Sequence, residues 1–420
     1  MKKLLTLFCC CLFLNGFSQT MSLYTKDVLK KNREKFYKNL VNNSINKNLR
    51  QPLNADTEED WMTAFYAIAL INYKSAWADS KVDEAVKVFS TQSISFQRSL
   101  LDLLHANYPG KYTGIIRKQL ASTEDAKTFA MAANYILQDK KEEDAVLLEY
   151  LVQQRMAADK ENPLYQQLYY QLAIFSKKIT TPSLSGFFDP GYLPGNTLLI
   201  SLQRKNRNYP GLVLVRDAWG NFSKLNDSTY FSAPQLARSL SNMPGYISNG
   251  NTPEGIFRMD GFDVSRSSFI GPSVNIQLKM PFEDKASHFY KDSAKADSTW
   301  NKDDYKNLLP EAFRNYYPIY QTYYAGMAGR TEIIAHGTTV NPAYYTAQTF
   351  YPHTPTAGCL CTKEIWDESS GKLKTSDQYS LVETLRKAGG AKGYAIVINI
   401  DDKEAPVKLE EILPFLQGKN

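Results

Sequence analysis

The chain predicts an α+β, multidomain protein: an all-α N-terminal helical array, then a mostly-β domain that carries a helical insertion. Three observations give this class. From residue 56 to about 178 apolar residues recur at the spacing of amphipathic helices. Near residue 180 that pattern breaks in a stretch rich in Pro, Gly, Ser and Thr. Beyond it, short apolar and β-branched runs are bounded by turn formers. The boundaries that follow are a leader at 1–19, helices at 20–180, a linker at 181–195, the β domain at 196–405 and a tail at 406–420.

The leader is Met1-Lys2-Lys3, an apolar run from Leu4 to Leu14, then Asn15-Gly16-Phe17-Ser18-Gln19. Two lysines, a short apolar core and small or polar residues beyond it are the pattern of a secretory signal peptide. The run is too short to span a bilayer. The residues before Cys9, Cys10 and Cys11 lack the small side chains of a lipoprotein cleavage site, so the mature chain is expected to carry no membrane anchor. A periplasmic or secreted location follows.

In the helical half, Trp61, Phe65, Ile68 and Leu70-Ile71 mark one apolar stripe. Phe96, Leu100, Leu103 and Leu104 mark a second, and Phe129, Ala132, Tyr135 and Ile136 a third. Starts near Asp60, Ser95 and Asp125 recur at an interval that suits stacked helical hairpins, with an irregular bundle as the other reading. After the breaker-rich segment, Thr197–Leu202 and Leu212–Arg216 flank Asn206-Arg207-Asn208-Tyr209-Pro210-Gly211 and read as a hairpin. Further strands are expected at 255–259, 273–279, 331–335 and 394–400. Helical patterns return at 305–312 and 316–324, inside an insertion over 281–329.

Composition excludes some classes. The formal charge of +6 becomes +4 once Lys2 and Lys3 leave with the leader, and no basic stripe suggests nucleic acid. The 27 tyrosines suit glycan surfaces and ordinary cores alike. Of five cysteines, the leader takes three, leaving Cys359 and Cys361. One intervening residue is poor geometry for a bridge, and an exported chain that relied on disulfides would space them more widely. A reactive thiol is the better reading.

That thiol has a base in reach of the sequence. His336 ends an apolar run and opens the turn His336-Gly337-Thr338. Cys359 follows Gly358 in Thr356-Ala357-Gly358-Cys359, where a glycine permits close backbone approach and can free an amide for an oxyanion. An imidazole beside a cysteine favours the thiolate, which is the attacking species. Acyl transfer through a thioester is the reaction class these residues suit.

At these residues the chain resembles the L,D-transpeptidase family of peptidoglycan enzymes. The family pattern is His-Gly, then Ser/Thr-x-Gly-Cys some fifteen to twenty residues on, preceded by a Thr-Pro-x-Gly-x-Phe strand. His336-Gly337-Thr338, Thr356-Ala357-Gly358-Cys359 and Thr252-Pro253-Glu254-Gly255-Ile256-Phe257 match it, and Gly393–Ile398 corresponds to the closing strand. The likeness covers about 190–402 and leaves the helical half outside it. The chain has Ala357 where many members have a second histidine, and Cys361 where many carry Arg or Asn, as in a divergent branch. The resemblance implies an L,D-transpeptidase-like catalytic domain that needs no cofactor or metal and acts on peptidoglycan tetrapeptide stems. His336 would take the proton of Cys359. The thiolate would attack the carbonyl of the stem's third residue and expel the terminal D-Ala. Amides near Gly358 and Cys359 would hold the oxyanion, with Gly337, Thr338, Thr356 and His353 in support. Capture of the thioester by an amine gives a 3→3 cross-link; capture by water gives an L,D-carboxypeptidase. With the usual basic residue absent, Arg258, Arg330 or Lys363 would meet the substrate carboxylate, and the 281–329 insertion would shape access.

Rival readings are two buried structural cysteines, a zinc site from Cys359, Cys361, His336 and His353, and a general cysteine protease. A different class of answer is an inactive wall-binding scaffold that recruits a protein partner through its helices.

Overall fold

The computed structural model describes residues 23–175, 179–295 and 299–418; the expected leader, with Cys9, Cys10 and Cys11, lies outside them. The chain is α+β. A short segment, with α1 at Lys30–Asn39, precedes the array proper. The array comprises α2 (Glu58–Ile71), α3 (Ala76–Lys87), α4 (Ile94–Asn107), α5 (Thr113–Leu120), α6 (Ala126–Leu137), α7 (Glu142–Ala158) and α8 (Pro163–Phe175). Local chemistry sets several starts. Ser75, Ser93 and Asp125 cap α3, α4 and α6 by accepting from backbone amides, and Asn72 closes α2 in the left-handed conformation. The three predicted stripes converge: Trp61, Phe65, Phe96, Leu100, Phe129 and Ile136 are buried in one core. Packing runs from α2 to α4, from α4 to α6 and from α6 to α8. Among the described residues no helix is long and apolar enough to cross a membrane.

The second half opens with α9 (Ser185–Phe188) and builds twelve strands among the described residues. Eight close into a mixed barrel: β1 (Leu198–Arg204), β2 (Gly211–Arg216), β5 (Ala233–Leu236), β6 (Gly255–Val264), β7 (Val274–Lys279), β8 (Ile334–His336), β9 (Leu360–Thr362) and β12 (Tyr394–Asp401). The hairpins β3–β4 (Lys224–Asn226, Thr229–Tyr230) and β10–β11 (Glu364–Trp366, Leu373–Ser376) stand outside it. The order around the barrel is β1-β12-β6-β7-β8-β9-β5-β2, with β1–β2 the predicted antiparallel hairpin. Two pairs are parallel, β1 with β12 and β8 with β9. The second of these positions the site. Ala335 lies opposite Leu360 and His336 opposite Cys361. Side chains alternate along a strand, so His336 shares a face with Cys361, and by the same period with Cys359. Ala335 and Leu360 point the other way, into a core with Leu199, Val213, Phe257 and Leu381 of α13 (Asp377–Lys387).

The outer faces of β1, β2, β6 and β12 lie under α9, α10 (Ala286–Tyr290), α11 (Lys302–Asn307), α12 (Gln321–Met327) and intervening single turns. The stretch expected as a linker packs here: Leu184, Phe187 and Phe188 are buried. The expected tail packs as well. Val407 and Ile412 are buried beside α14 (Leu413–Leu416), and Arg204 pairs with Asp401 and Glu411 at 2.7 Å. Apolar burial of about 1.5–3 kcal/mol per side chain overrides the breaker-rich local sequence.

The two halves meet at the 239–251 loop. Met243, Tyr246 and Ile247 are buried in the helical core. His105, at the end of α4, is buried too and its Nδ1 lies 3.0 Å from the Ser241 carbonyl. Asn134 donates to the Tyr246 hydroxyl at 2.7 Å, and the Tyr345 hydroxyl donates to the Leu70 carbonyl at 2.6 Å. Through these contacts the array is bound to the loops that carry His336 and Cys359.

Candidate active site

Cys359 sits one residue ahead of β9 in a loop knitted by Thr356. The Thr356 hydroxyl accepts from the Gly358 amide at 2.9 Å and donates to the Cys359 carbonyl at 2.9 Å. The Gly358 carbonyl accepts from the Thr252 hydroxyl at 2.8 Å. Thr252 opens the Thr-Pro-x-Gly segment, so that segment buttresses the cysteine loop directly. Gly358 adopts φ +122°, and a Cβ there would lie 2.1 Å from the Arg330 guanidinium and 2.5 Å from the Gly250 carbonyl. Only glycine fits. One expectation needs correction: the Gly358 amide is committed to Thr356 and is not free to hold an oxyanion.

The candidate base is fixed by the backbone beside it. His336 is buried and its Nδ1 lies 2.5 Å from the Gly337 carbonyl. A carbonyl can only accept, so Nδ1 carries the proton and Nε2 keeps its lone pair. The His336-Gly337-Thr338 turn rests on Glu364, a residue that nothing in the sequence singled out. The buried Glu364 carboxyl accepts from Ser273 Oγ at 2.6 Å, Ser376 Oγ at 2.7 Å and the Thr338 amide at 3.1 Å. A Cβ at Gly337 would lie 2.2 Å from that carboxyl carbon. Thr338 is held further by Thr354 Oγ1 at 2.7 Å and by Trp366 Nε1, which donates to its carbonyl at 2.8 Å.

Cys359 and His336 line one cavity of about 170 Å³. Thr338 and Thr354–Ala357 form its base, and Ser267, Phe269 and Ile270 of the β6–β7 connection form one side. The remaining wall is Leu240 with Tyr66 and Leu70 of α2. The 281–329 insertion, expected to shape access, is absent from these walls; the helical array occupies that position. Cys359 is half-buried, and its Sγ lies 3.6 Å from the Glu332 carbonyl. Burial pushes its thiol up, against a backbone hydrogen bond from Ile334 and the nearby Arg330 cation, which pull it down. Burial holds His336 at about 4. The resting pair is a neutral thiol and a neutral imidazole, not the preformed thiolate expected from the pairing alone. Such a pair suits base-assisted attack, in which the proton leaves sulfur as the bond to carbon forms.

The other nominated residues lie apart from this cavity or are otherwise engaged. Arg330 is buried and donates to the carbonyls of Gly245, Ile247, Gly250 and Asn251. Its donors are spent on backbone, so it clamps the 239–251 loop beneath Gly358 and is not open to a substrate carboxylate. Arg258 pairs with Asp260 at 2.8 Å and Asp284 at 2.7 Å and does not line the cavity. Lys363 and His353 are also off its walls. His353 is buried, and burial holds it at about 4. Cys361 is fully buried, with its thiol pushed up to about 12. Both cysteines are free, and among the described residues no cluster of His, Cys, Asp or Glu could hold a metal ion.

Compared with family models, with curated proteins and with solved structures, the chain finds no match.

Proposed function

We propose that the chain is an exported L,D-transpeptidase-like cysteine acyltransferase acting on the tetrapeptide stems of peptidoglycan. One observation carries the reading: Cys359 and His336 wall the same cavity, with the imidazole Nδ1 tied to the Gly337 carbonyl so that Nε2 is the free base. The meeting of the three motif segments at Thr252, His336 and Gly358 supports it further.

In this reaction His336 Nε2 takes the proton from Cys359 Sγ as the sulfur attacks the carbonyl of the stem's third residue. The tetrahedral oxyanion collapses, the C–N bond to terminal D-Ala breaks, and the protonated imidazole returns its proton to the leaving amine. The thioester on Cys359 is then attacked by an amine of a second stem, giving a 3→3 cross-link, or by water, giving the free acid. His336 accepts the nucleophile's proton in either case, and the thiol is regenerated. Arg330 adds a fixed positive charge beneath the loop that favours negative sulfur.

The test is intact-protein mass spectrometry after incubation with a carbapenem, whose ring opening leaves an acyl adduct on the nucleophile. The wild-type chain and Cys361→Ala are expected to gain the adduct, and Cys359→Ala to lose it. No adduct on folded wild-type protein with both thiols free would sink the reading. Muropeptide products then separate cross-linking from hydrolysis.

A further inference from the structure

A cleft of about 470 Å³ lies where the array meets the barrel, and it shares no lining residue with the cavity of Cys359 and His336. Its walls are the β1–β2 turn with Lys205 and Arg207, the 239–251 loop, Gln138 and Lys140 just beyond α6, and parts of α8, α12 and β12, the last through Asn399. The size falls within the range of small-molecule sites, about 300–1,000 Å³. Among the described residues that line it, eight are Asn or Gln and three are Lys or Arg; none is Asp, Glu, Phe, Tyr or Trp.

Arg207 is 5% exposed, and its guanidinium is only partly used. Nη2 donates to the Thr252 carbonyl at 3.3 Å, while Nη1 has no hydrogen-bond partner. Glu254 is near enough to attract it, but the two form no ion pair among the described residues. Both Glu254 oxygens instead accept from Asn399, from its amide at 3.1 Å and its Nδ2 at 2.6 Å. Two acceptors on the same walls, Gln138 Oε1 and Asn399 Oδ1, are buried and unpartnered as well. Lys140 and Lys205 are exposed at the rim.

Buried polar atoms without partners destabilise a fold, and native proteins keep few of them. Here three belong to side chains that line one space. A cation buried without a paired carboxylate calls for an anion, and the planar fork of a guanidinium matches a carboxylate by two parallel bonds. A side-chain amide offers a donor and an acceptor, as a hydroxyl does. Amide-rich walls with no aromatic ring of Phe, Tyr or Trp therefore suit a ligand rich in hydroxyls better than a flat apolar one.

We propose that this cleft binds a sugar acid, with its carboxylate on Arg207 and its hydroxyls on the amides of Gln138, Asn399 and their neighbours. Lys140 and Lys205 add positive charge at the mouth. The bound ligand bridges the array and the barrel. The proposal stands apart from the acyl-transfer reading, since neither Cys359 nor His336 takes part in it.

The experiment is titration calorimetry of the mature chain at pH 7 with D-glucuronate, D-glucose and inorganic phosphate. Glucuronate is expected to bind about tenfold or more tighter than either of the others, the scale of one charge-assisted hydrogen bond over the uncharged sugar. Arg207→Met, which keeps the stem and loses the charge, is expected to bring glucuronate down to glucose, with thermal unfolding showing that the variant is folded. Because this variant also removes the bond to Thr252, the ligand is located on wild type too, by lysine acetylation and peptide mapping. Glucuronate is expected to slow acetylation of Lys140 and Lys205 and to leave Lys118 of α5, outside the cleft, unchanged. No binding of glucuronate, equal affinity for glucose or phosphate, a preference that persists in folded Arg207→Met, or binding that leaves Lys140 and Lys205 unprotected would each overturn the proposal.

Discussion

Replacing Glu364 by Gln isolates what it costs to keep a carboxyl under the His336 turn. Burial raises this group from 4.5 to about 7, against the opposing pull of Ser273, Ser376 and the Thr338 amide. Each unit is about 1.4 kcal/mol, so the shift corresponds to about 3 kcal/mol. The folded value lies above the unfolded one. The protonated form is therefore favoured by folding, and its contribution is fully present below pH 4.5 and lost as pH rises through about 7. Gln cannot ionise and does not incur that loss. Wild type and Glu364→Gln are expected to differ little at pH 5, with the variant about 3 kcal/mol more stable by pH 8. Urea unfolding at half-unit pH intervals measures this. The carboxyls of Asp102 and Glu254, also raised to about 7 by desolvation, titrate in both proteins and cancel in the difference. A difference independent of pH would refute the reasoning, because it would mean that Glu364 ionises equally easily in both states. Glu364→Ala is the contrasting change. It strands two hydroxyls and the Thr338 amide, at roughly 1–3 kcal/mol each where they stay buried, and is expected to slow Cys359 acylation by loosening the turn that holds His336.

Two further outcomes follow from the same geometry. Gly358→Ala forces a Cβ against the Arg330 guanidinium and the Gly250 carbonyl at a positive φ; a loss of about 3 kcal/mol or more in thermal unfolding, with loss of the Cys359 adduct, is expected. Alkylation by iodoacetamide, followed by peptide mapping, should mark Cys359 slowly at pH 7 and faster as pH climbs past the ordinary thiol range. Cys361, with its thiol pushed up to about 12 and fully buried, should react only on unfolding.

The candidate site residues are legible because each is constrained by type as well as position. A histidine after an apolar run, a glycine before a cysteine and a Thr-Pro step remain visible in one sequence; Thr252 bonds the Gly358 carbonyl, and His336 lines the cavity of Cys359. The helical stripes were legible for a different reason: a period of 3.6 sustained over a dozen residues is hard to produce by chance. The strands that hold the site were harder. β8 and β9 have three residues each, too few for alternation to register, and their parallel pairing is a property of the closed barrel. The 184–188 segment lies among breakers, yet Phe187 and Phe188 supply the burial that packs it, and Val407 and Ile412 do the same in the expected tail.

Glu364 and the α2 wall were invisible for one shared reason: what makes them relevant is a partner far away in sequence. Glu364 matters through Ser273 and the Thr338 amide, and Tyr66 through the cavity it shares with Cys359. The route from the array to the thiol shows how such distance is bridged. The array buries Met243, Tyr246 and Ile247 of the 239–251 loop, Arg330 grips the carbonyls of that loop, and the same guanidinium fills the space beneath Gly358. A shift of the array would move the loop, and with it the floor of the nucleophile. The physical coupling therefore ties the packing of the array to the position of the Cys359 loop.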